Sequence, residues 1–349
     1  DLPDKESATM FFQDCKLAHQ AQITGISHSV KEILPPDLLD LTQLQKEANI
    51  RYGYTASEVY DIAQSLYEKK LISYPRTSSR YLTEDVFDSL SPIMARLLSW
   101  ELFPAAKGTG GIDISNLSRH VINAEKNNVH HAIIITGIRP GNLSEKEMQV
   151  YRLVAGRMLE TFMAPCRIET TNVEAVCAAQ HFKAEQTRII EAGWHDVFMR
   201  SDMVPKSGYS VNELPEVEKS DTLNVCGCNM VHKKQMPVNP FTDAELVEYM
   251  EQNGLGTVSS RTNIIRTLVN RKYIRYSGKY IVPTPKGVFT YETIRGKKIA
   301  DTSLTADWEK QLAGLESGMI TGQDFLNRIR TLAKEMTDDI FNTYSTKEE

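Results

Sequence analysis

At 349 residues the chain can hold two or three domains, each with its own core, and its 41% hydrophobic and 24% charged residues are those of an ordinary soluble globular protein. It has no long uncharged apolar run and no signal-peptide pattern, so the expectation is an intracellular, cytoplasmic product, at the nucleoid if the source is prokaryotic. A net charge of −5 argues against a protein that coats nucleic acid over its whole surface, yet leaves room for a local basic groove.

In chain order, residues 1–40 read as mainly β, with alternation through Gln22-Ile23-Thr24-Gly25-Ile26-Ser27 and a boundary at Pro35-Pro36. Residues 41–165 read as largely helical, broken by a glycine-rich loop near Lys107 to Gly111. A second β-rich stretch covers 166–237, with strands expected over Thr170 to Val176 and Lys183 to Ile190. From 238 to 349 the chain turns helical again, including Ala306 to Leu315 and Asp324 to Met336, and the charged end after Thr343 should fray. The organisation expected is one β domain built from 1–40 and 166–237, a helical domain at 41–165 inserted into it, and a helical winged unit at 238–349. The five cysteines fit a reducing compartment better than a disulfide scaffold; Cys226-Gly227-Cys228 is too tightly spaced for the usual zinc knuckle, and all five read as structural.

Leu71-Ile72-Ser73-Tyr74-Pro75-Arg76-Thr77 places a phenol two residues from a guanidinium where a helix-turn-helix ends. A tyrosine hydroxyl ordinarily titrates near ~10 and is a poor nucleophile at neutral pH, so attack on phosphorus calls for a neighbouring cation. Arg76 can supply it, and Pro75, which cannot continue a helix, can fix the relation between the two. The same residues also suit a plain helix end entering a strand.

The run Leu66-Tyr67-Glu68-Lys69-Lys70-Leu71-Ile72-Ser73-Tyr74 recurs as Leu268-Val269-Asn270-Arg271-Lys272-Tyr273-Ile274-Arg275-Tyr276, matching in register at Leu, Lys, Ile and Tyr. Each copy follows a helix (Thr42 to about Asn49; Thr242 to about Gln252), a glycine turn (Gly53; Gly254 and Gly256) and a second helix (Ala56 to Lys69; Ser259 to Arg271). Ser277-Gly278-Lys279 then reads as a hairpin turn that completes a winged helix. Tyr276 is followed by Ser-Gly instead of Pro-Arg, which makes Tyr74 the nucleophile if either is one. Between Gln252 and Lys286 there is no Asp or Glu, while Arg261, Arg266, Arg271, Lys272, Arg275, Lys279 and Lys286 all fall there; either a phosphate-facing groove or a solvated charged face has this pattern. In Asn127-Asn128-Val129-His130-His131-Ala132-Ile133-Ile134-Ile135-Thr136-Gly137, two histidines precede a β-branched run, as in a strand entered from a polar edge. One imidazole there can bond a phosphate oxygen or simply be a satisfied structural group, and the spacing is not that of a helical zinc site.

Taken together, Leu34-Pro35-Pro36, Asp40-Leu41-Thr42-Gln43-Leu44-Gln45-Lys46-Glu47-Ala48, Ala63-Gln64-Ser65-Leu66-Tyr67-Glu68 and Ile72-Ser73-Tyr74-Pro75-Arg76-Thr77 resemble the active-site region of type IA DNA topoisomerases, the topoisomerase III branch in particular. His130-His131-Ala132-Ile133-Ile134 resembles that family's histidine motif, and Gly254-Leu255-Gly256-Thr257 with Ser260-Arg261 its glycine-rich motif. The resemblance runs from about Leu34 to Lys286 and implies a multidomain α+β fold, a piece of a toroid with a discontinuous β gate domain and two winged-helix-like domains. It implies that Tyr74 attacks a single DNA strand and joins its 5′ phosphate, that Arg76 stabilises the phosphoryl oxygens and that His130 organises hydrogen bonds there. Resealing would need no ATP. Lys70, Thr257, Ser260, Arg261 and Lys272 are the expected DNA-binding residues, single-stranded DNA the expected partner and a helicase a further one. Mg2+ is implied by the family but would be bound by an N-terminal Toprim domain that nothing here resembles, so the chain reads as a fragment inactive alone and holding no metal itself. Ile135 stands where the family usually has Pro, and Val258 where Pro or Ala is commoner. The competing readings are a winged-helix DNA-binding protein without catalysis, which gives Tyr-Pro-Arg no role, and a tyrosine recombinase, whose His-x-x-Arg motif neither His130 nor His131 begins.

Overall fold

A computed structural model describes residues 4–100, 102–103, 112–123, 130–198, 210–211, 213–231 and 239–345. The chain divides into two compact units, one of Asp1–Asp37, Met94–Ser118 and Gly156–Pro237, the other of Leu38–Ile93, Arg119–Ala155 and Val238–Glu349.

The first unit is built on an antiparallel sheet of order β3-β2-β1-β4, with β1 Gln20–Ile33, β2 Cys166–Cys177, β3 Gln180–Glu191 and β4 Thr222–Asn224. β2 and β3 contain both strands expected there. β1 and β2 pair from Gln22↔Val176 to Ile33↔Cys166, with a register shift between Ile23 and Gly25. Ile23, Cys166, Ile168, Val173 and Cys177 are the buried side chains of these strands, and the fully buried Trp194 donates its indole N–H to Ile33 O at 2.9 Å.

One expectation is corrected in this unit: residues 1–40 are not mainly β, because Lys5–Leu17 forms helix α1. Asp4 caps it by accepting from Ser7 N at 2.8 Å, and only Cys15 is buried, its thiol 3.8 Å from Cys177 O. Burial raises that thiol to about 11, so it behaves as a small apolar side chain.

The second unit contains the internal repeat. Its first copy is α2 (Leu41–Tyr52), Gly53 in the left-handed conformation (φ 71°), and α3 (Ala56–Glu68), which Thr55 and Glu58 open with a capping box. Its second copy is α7 (Asp243–Gln252), turned at Gly254 and Gly256, α8 (Arg261–Asn270), and the hairpin β5 (Ile274–Ser277) to β6 (Tyr280–Pro283). The copies share more than the matched residues. Both second helices end at a lysine with positive φ, Lys70 at 59° and Lys272 at 61°. Leu71 N donates to Leu66 O and Tyr273 N to Leu268 O, each at 2.9 Å, which is the outer bond of a Schellman cap. A threonine on a returning segment then bonds the carbonyl of each lysine at 2.6 Å, Thr136 to Lys70 and Thr284 to Lys272. The returning segments correspond too, for Ile72 bridges Ile135 as Ile274 bridges Pro283.

The two copies pack through Ala56, Val247, Met250, Ile265 and Ile281, with buried polar bonds between them. Gln45 Nε2 donates to Thr262 Oγ1 and, within the first copy, to Ala56 O, both at 2.9 Å, and Ala56 N donates to Asp243 Oδ2. α9 (Pro285–Ile294), α10 (Thr302–Glu316) and α11 (Gly322–Ser345) follow the hairpin; the last two contain both helices expected there, and the residues after Ser345 lie outside the described residues. Gly287 on α9 sits where a Cβ would run into Tyr273 O. α4 (Glu84–Asp88), α5 (Leu90–Ser99) and α6 (Glu145–Phe162) complete the described α-helices of the chain, and the glycine-rich loop expected at Lys107 to Gly111 lies outside the described residues.

Candidate active site

Tyr74 lies on a strap, residues 71–77, that crosses the segment 130–136 as it leaves α3. Ser73 N donates to Ile134 O at 2.8 Å, and Thr136 N to Leu71 O at 3.1 Å. Ser73 Oγ donates to Ala132 O at 3.1 Å and accepts from Ile134 N at 3.0 Å. Beyond Pro75, the buried Thr77 donates its hydroxyl to His130 O at 3.0 Å. Bonds on both sides of Tyr74 thus hold it in register with the histidine segment. The expected strand there is reduced to two single bridges, Leu39↔Ile133 and Ile72↔Ile135. Asn127 to Val129 lie outside the described residues.

These bonds bring Tyr74 and His130 together, with ring centroids 4.4 Å apart and planes at 49°. Tyr67, in the last turn of α3, meets Tyr74 edge-on at 5.4 Å. Tyr74 is half-buried and His130 exposed. Arg76 is half-buried, its guanidinium carbon 5.0 Å from the centre of the Tyr60 ring and its Nη2 donating to Gln64 Oε1 at 3.3 Å. His131 turns inward, Nδ1 lying 2.7 Å from Ala132 O, which leaves His130 as the histidine facing the tyrosine. A phenol, an imidazole in ring contact with it and a guanidinium on the same strap can together engage an oxyanion and attack its phosphorus.

Sequence reasoning missed Tyr60, Gln64 and Tyr67 as partners of this cluster, although all three lie on α3, where i, i+4 and i+7 spacing puts them on neighbouring faces.

The residues expected to bind DNA fall at two helix ends and one turn. Lys70 and Lys272 are exposed at the two equivalent helix ends. Thr257 and Ser260 form a closed turn before α8, Thr257 N donating to Ser260 Oγ at 2.8 Å and Ser260 N to Thr257 O at 3.0 Å. Arg261 is buried, 7% exposed, donating to Glu251 Oε1 at 3.1 Å and to Leu255 O at 3.3 Å, so its charge is spent within the fold. Among the described residues no group of three or more His, Cys, Asp or Glu side chains is arranged to hold a metal ion, so these residues do not form a site for the implied Mg2+. Among the described residues, too, no helix is long and apolar enough to cross a membrane.

A family model described as DNA topoisomerase matches residues 1–327. The chain is similar to DNA topoisomerase 3 of Bacillus licheniformis, 31% identical over 344 residues that cover 92% of this chain and 47% of that protein. It is also similar to DNA topoisomerase 1 of Methanocaldococcus jannaschii, 30% identical over 99% of this chain and 44% of that one. The chain therefore spans about half the length of the curated relatives it matches. Among solved structures, full-length topoisomerase I from Thermotoga maritima shares the fold with a TM-score of 0.72 over 96% of this chain and 56% of that one, at 23% identity.

Proposed function

The chain belongs to the type IA DNA topoisomerase family, and from that membership and the Tyr74–His130 pair we infer that it carries the tyrosine that breaks one DNA strand. Tyr74 Oη attacks the phosphorus of a phosphodiester in single-stranded DNA, the bond from phosphorus to the 3′ oxygen breaks, and the phenolic proton is balanced by the proton taken up on the departing 3′ hydroxyl. The 5′ phosphate stays on Tyr74. One phosphodiester has replaced another, so the reverse attack by the 3′ hydroxyl reseals the strand without ATP. Arg76 binds the non-bridging oxygens, whose charge rises in the transition state, and His130 orders the hydrogen bonds around them.

Single-stranded DNA would reach the site along a path that includes Lys70 and Lys272, with Thr257 and Ser260 donating to phosphate and Arg261 fixing the turn that presents them. Passage of a second strand requires the break to open, a role we assign to the segments 1–40 and 166–237, whose strands share one sheet. Such an enzyme works in the cytoplasm or nucleoid, where a helicase would supply single strands.

The contact of the Tyr74 and His130 rings at 4.4 Å is the observation that carries this reading. It is tested with a 3′-labelled single-stranded oligonucleotide mixed with the full-length protein and quenched in denaturant. Wild type should retain label on protein and Tyr74→Phe none; an adduct that survives in Tyr74→Phe assigns the nucleophile elsewhere.

A further inference from the structure

Arg76 is held by one face of α3, and its buried Nε–H is left without an acceptor. Tyr60, Gln64 and Glu68 follow one another at i, i+4 and i+8, so they form a row along the helix. The Tyr60 ring lies under the guanidinium at 5.0 Å, and Gln64 Oε1 accepts from Arg76 Nη2 at 3.3 Å. The amide of Gln64 is itself oriented, because its Nε2 donates to Glu68 Oε1 at 2.8 Å, which turns the carbonyl oxygen toward Arg76. Arg76 Nε is buried and meets no acceptor. A buried donor of a charged group is costly to leave unmade, and here it sits two residues from Tyr74.

We propose that the row Tyr60, Gln64 and Glu68 positions Arg76, presenting its Nε–H to a phosphodiester oxygen of single-stranded DNA bound beside Tyr74. The inference rests on the reading of Tyr74 given above and assigns a function to three residues on the helix before the strap. The division of labour follows from the chemistry. A guanidinium offers five donors in a planar fork, and two fixed supports, a ring against its plane and an acceptor at one Nη, leave its orientation little freedom. Stabilising charge that develops on the non-bridging oxygens depends on donors already aimed, so loss of a support should slow bond breaking more than it weakens binding. Tyr60 and Gln64 do not touch the reacting atoms and act only through Arg76.

The test combines the rate of adduct formation, single-strand affinity and the Nε–Hε resonance of Arg76 in 15N-arginine-labelled protein titrated with a short oligothymidylate. In wild type the resonance should move downfield and exchange more slowly with water as the oligonucleotide binds. Gln64→Met keeps the length but removes the acceptor, and Tyr60→Leu removes the ring; each should lose the resonance response and slow adduct formation by about tenfold or more, with affinity changed less than about threefold. Gln64→Glu combined with Glu68→Gln keeps both an acceptor for Arg76 and a bond between the two side chains, Tyr60→Phe keeps the ring, and both should stay within about threefold of wild type in rate. A purely structural row would lower thermal stability and affinity together and leave the conservative variants no better. Full rate and an unchanged resonance response in Gln64→Met overturn the proposal. If Tyr74→Phe still forms an adduct, the nucleophile assignment fails, while the resonance titration still decides whether Gln64 and Tyr60 hold Arg76 for a phosphodiester.

Discussion

The hydroxyl of Tyr276 donates to Asp243 Oδ1 at 2.7 Å, and this bond separates the two tyrosines of the repeat. Asp243 opens α7, and the residue that opens α2 in the matched position is Leu41. Tyr74 therefore has no carboxylate in the place that engages Tyr276. Burial, and after it the bond to Asp243, raises the Tyr276 phenol far above the ordinary tyrosine value, as expected of a structural tyrosine. Tyr276→Phe should leave adduct formation intact. It deprives a buried carboxylate of one of its two donors, Ala56 N being the other, and should cost about 1–3 kcal/mol in urea unfolding. Loss of adduct at unchanged stability would reverse the roles of the two tyrosines.

Acid should act through Glu147. Its carboxylate, bonded first by Lys69 at 2.5 Å, then by Ser65 at 2.7 Å and by Ser144 N, titrates at about 2, below the ordinary 4.5. A depressed carboxylate stabilises the fold fully above the unfolded value and loses that contribution as pH falls from 4.5 towards 2. Burial raises Asp243, so its protonation works in the opposite direction. The comparison is therefore between wild type and Glu147→Gln: wild type should be more stable by about 2 kcal/mol at pH 7, and the gap should narrow as pH falls below 4.5 and close only below about pH 2. A gap independent of pH would remove Glu147 from the acid response.

Much of this arrangement is legible in the sequence because it is local. The repeat shows at Leu66, Lys70, Ile72 and Tyr74 since a helix end with a left-handed residue and a following strand restricts residue choice over a short span. The returning segments are harder to see. Thr136 and Thr284 do the same work, but the first follows Tyr74 only after a long insertion, whereas the second follows Tyr276 across a tight turn. α1 escaped because Met10-Phe11-Phe12 looks like strand sequence and the helix buries only Cys15, so its specification lies in the Asp4 cap and in docking on β2. The burial of Arg261 was equally hidden, since composition records its charge and not the partner ten positions earlier in the chain.

That partner governs what Arg261→Ala should do. Glu251 would lose its cation, and Leu255 O, in the turn that Leu255 N closes on Met250 O after α7, would lose a donor. The pair is part-exposed on the Glu251 side, so the cost should be about 2 kcal/mol, below that of a fully buried pair. Single-strand affinity should fall because Thr257 and Ser260 shift, while the slope of affinity against salt stays as in wild type. A flattened slope would mean that Arg261 leaves Glu251 and contacts phosphate directly.

Lys272 offers the reverse separation of stability from binding. Its backbone sits at φ 61°, a left-handed conformation that costs an L side chain roughly 1 kcal/mol and glycine almost nothing. The side chain is exposed, while the carbonyl bonds to Thr284 and would do so equally well in glycine. Lys272→Gly should thus hold or raise stability by about 0.5 kcal/mol in urea unfolding. If the ammonium neutralises one phosphate, the same change should weaken single-strand binding and reduce the salt slope by about 0.7. Lys70→Gly, at the equivalent end of α3, should reproduce both effects beside Tyr74. A slope unchanged in both variants would turn these lysines from DNA contacts into cap residues, selected only for a chain reversal that the two copies share.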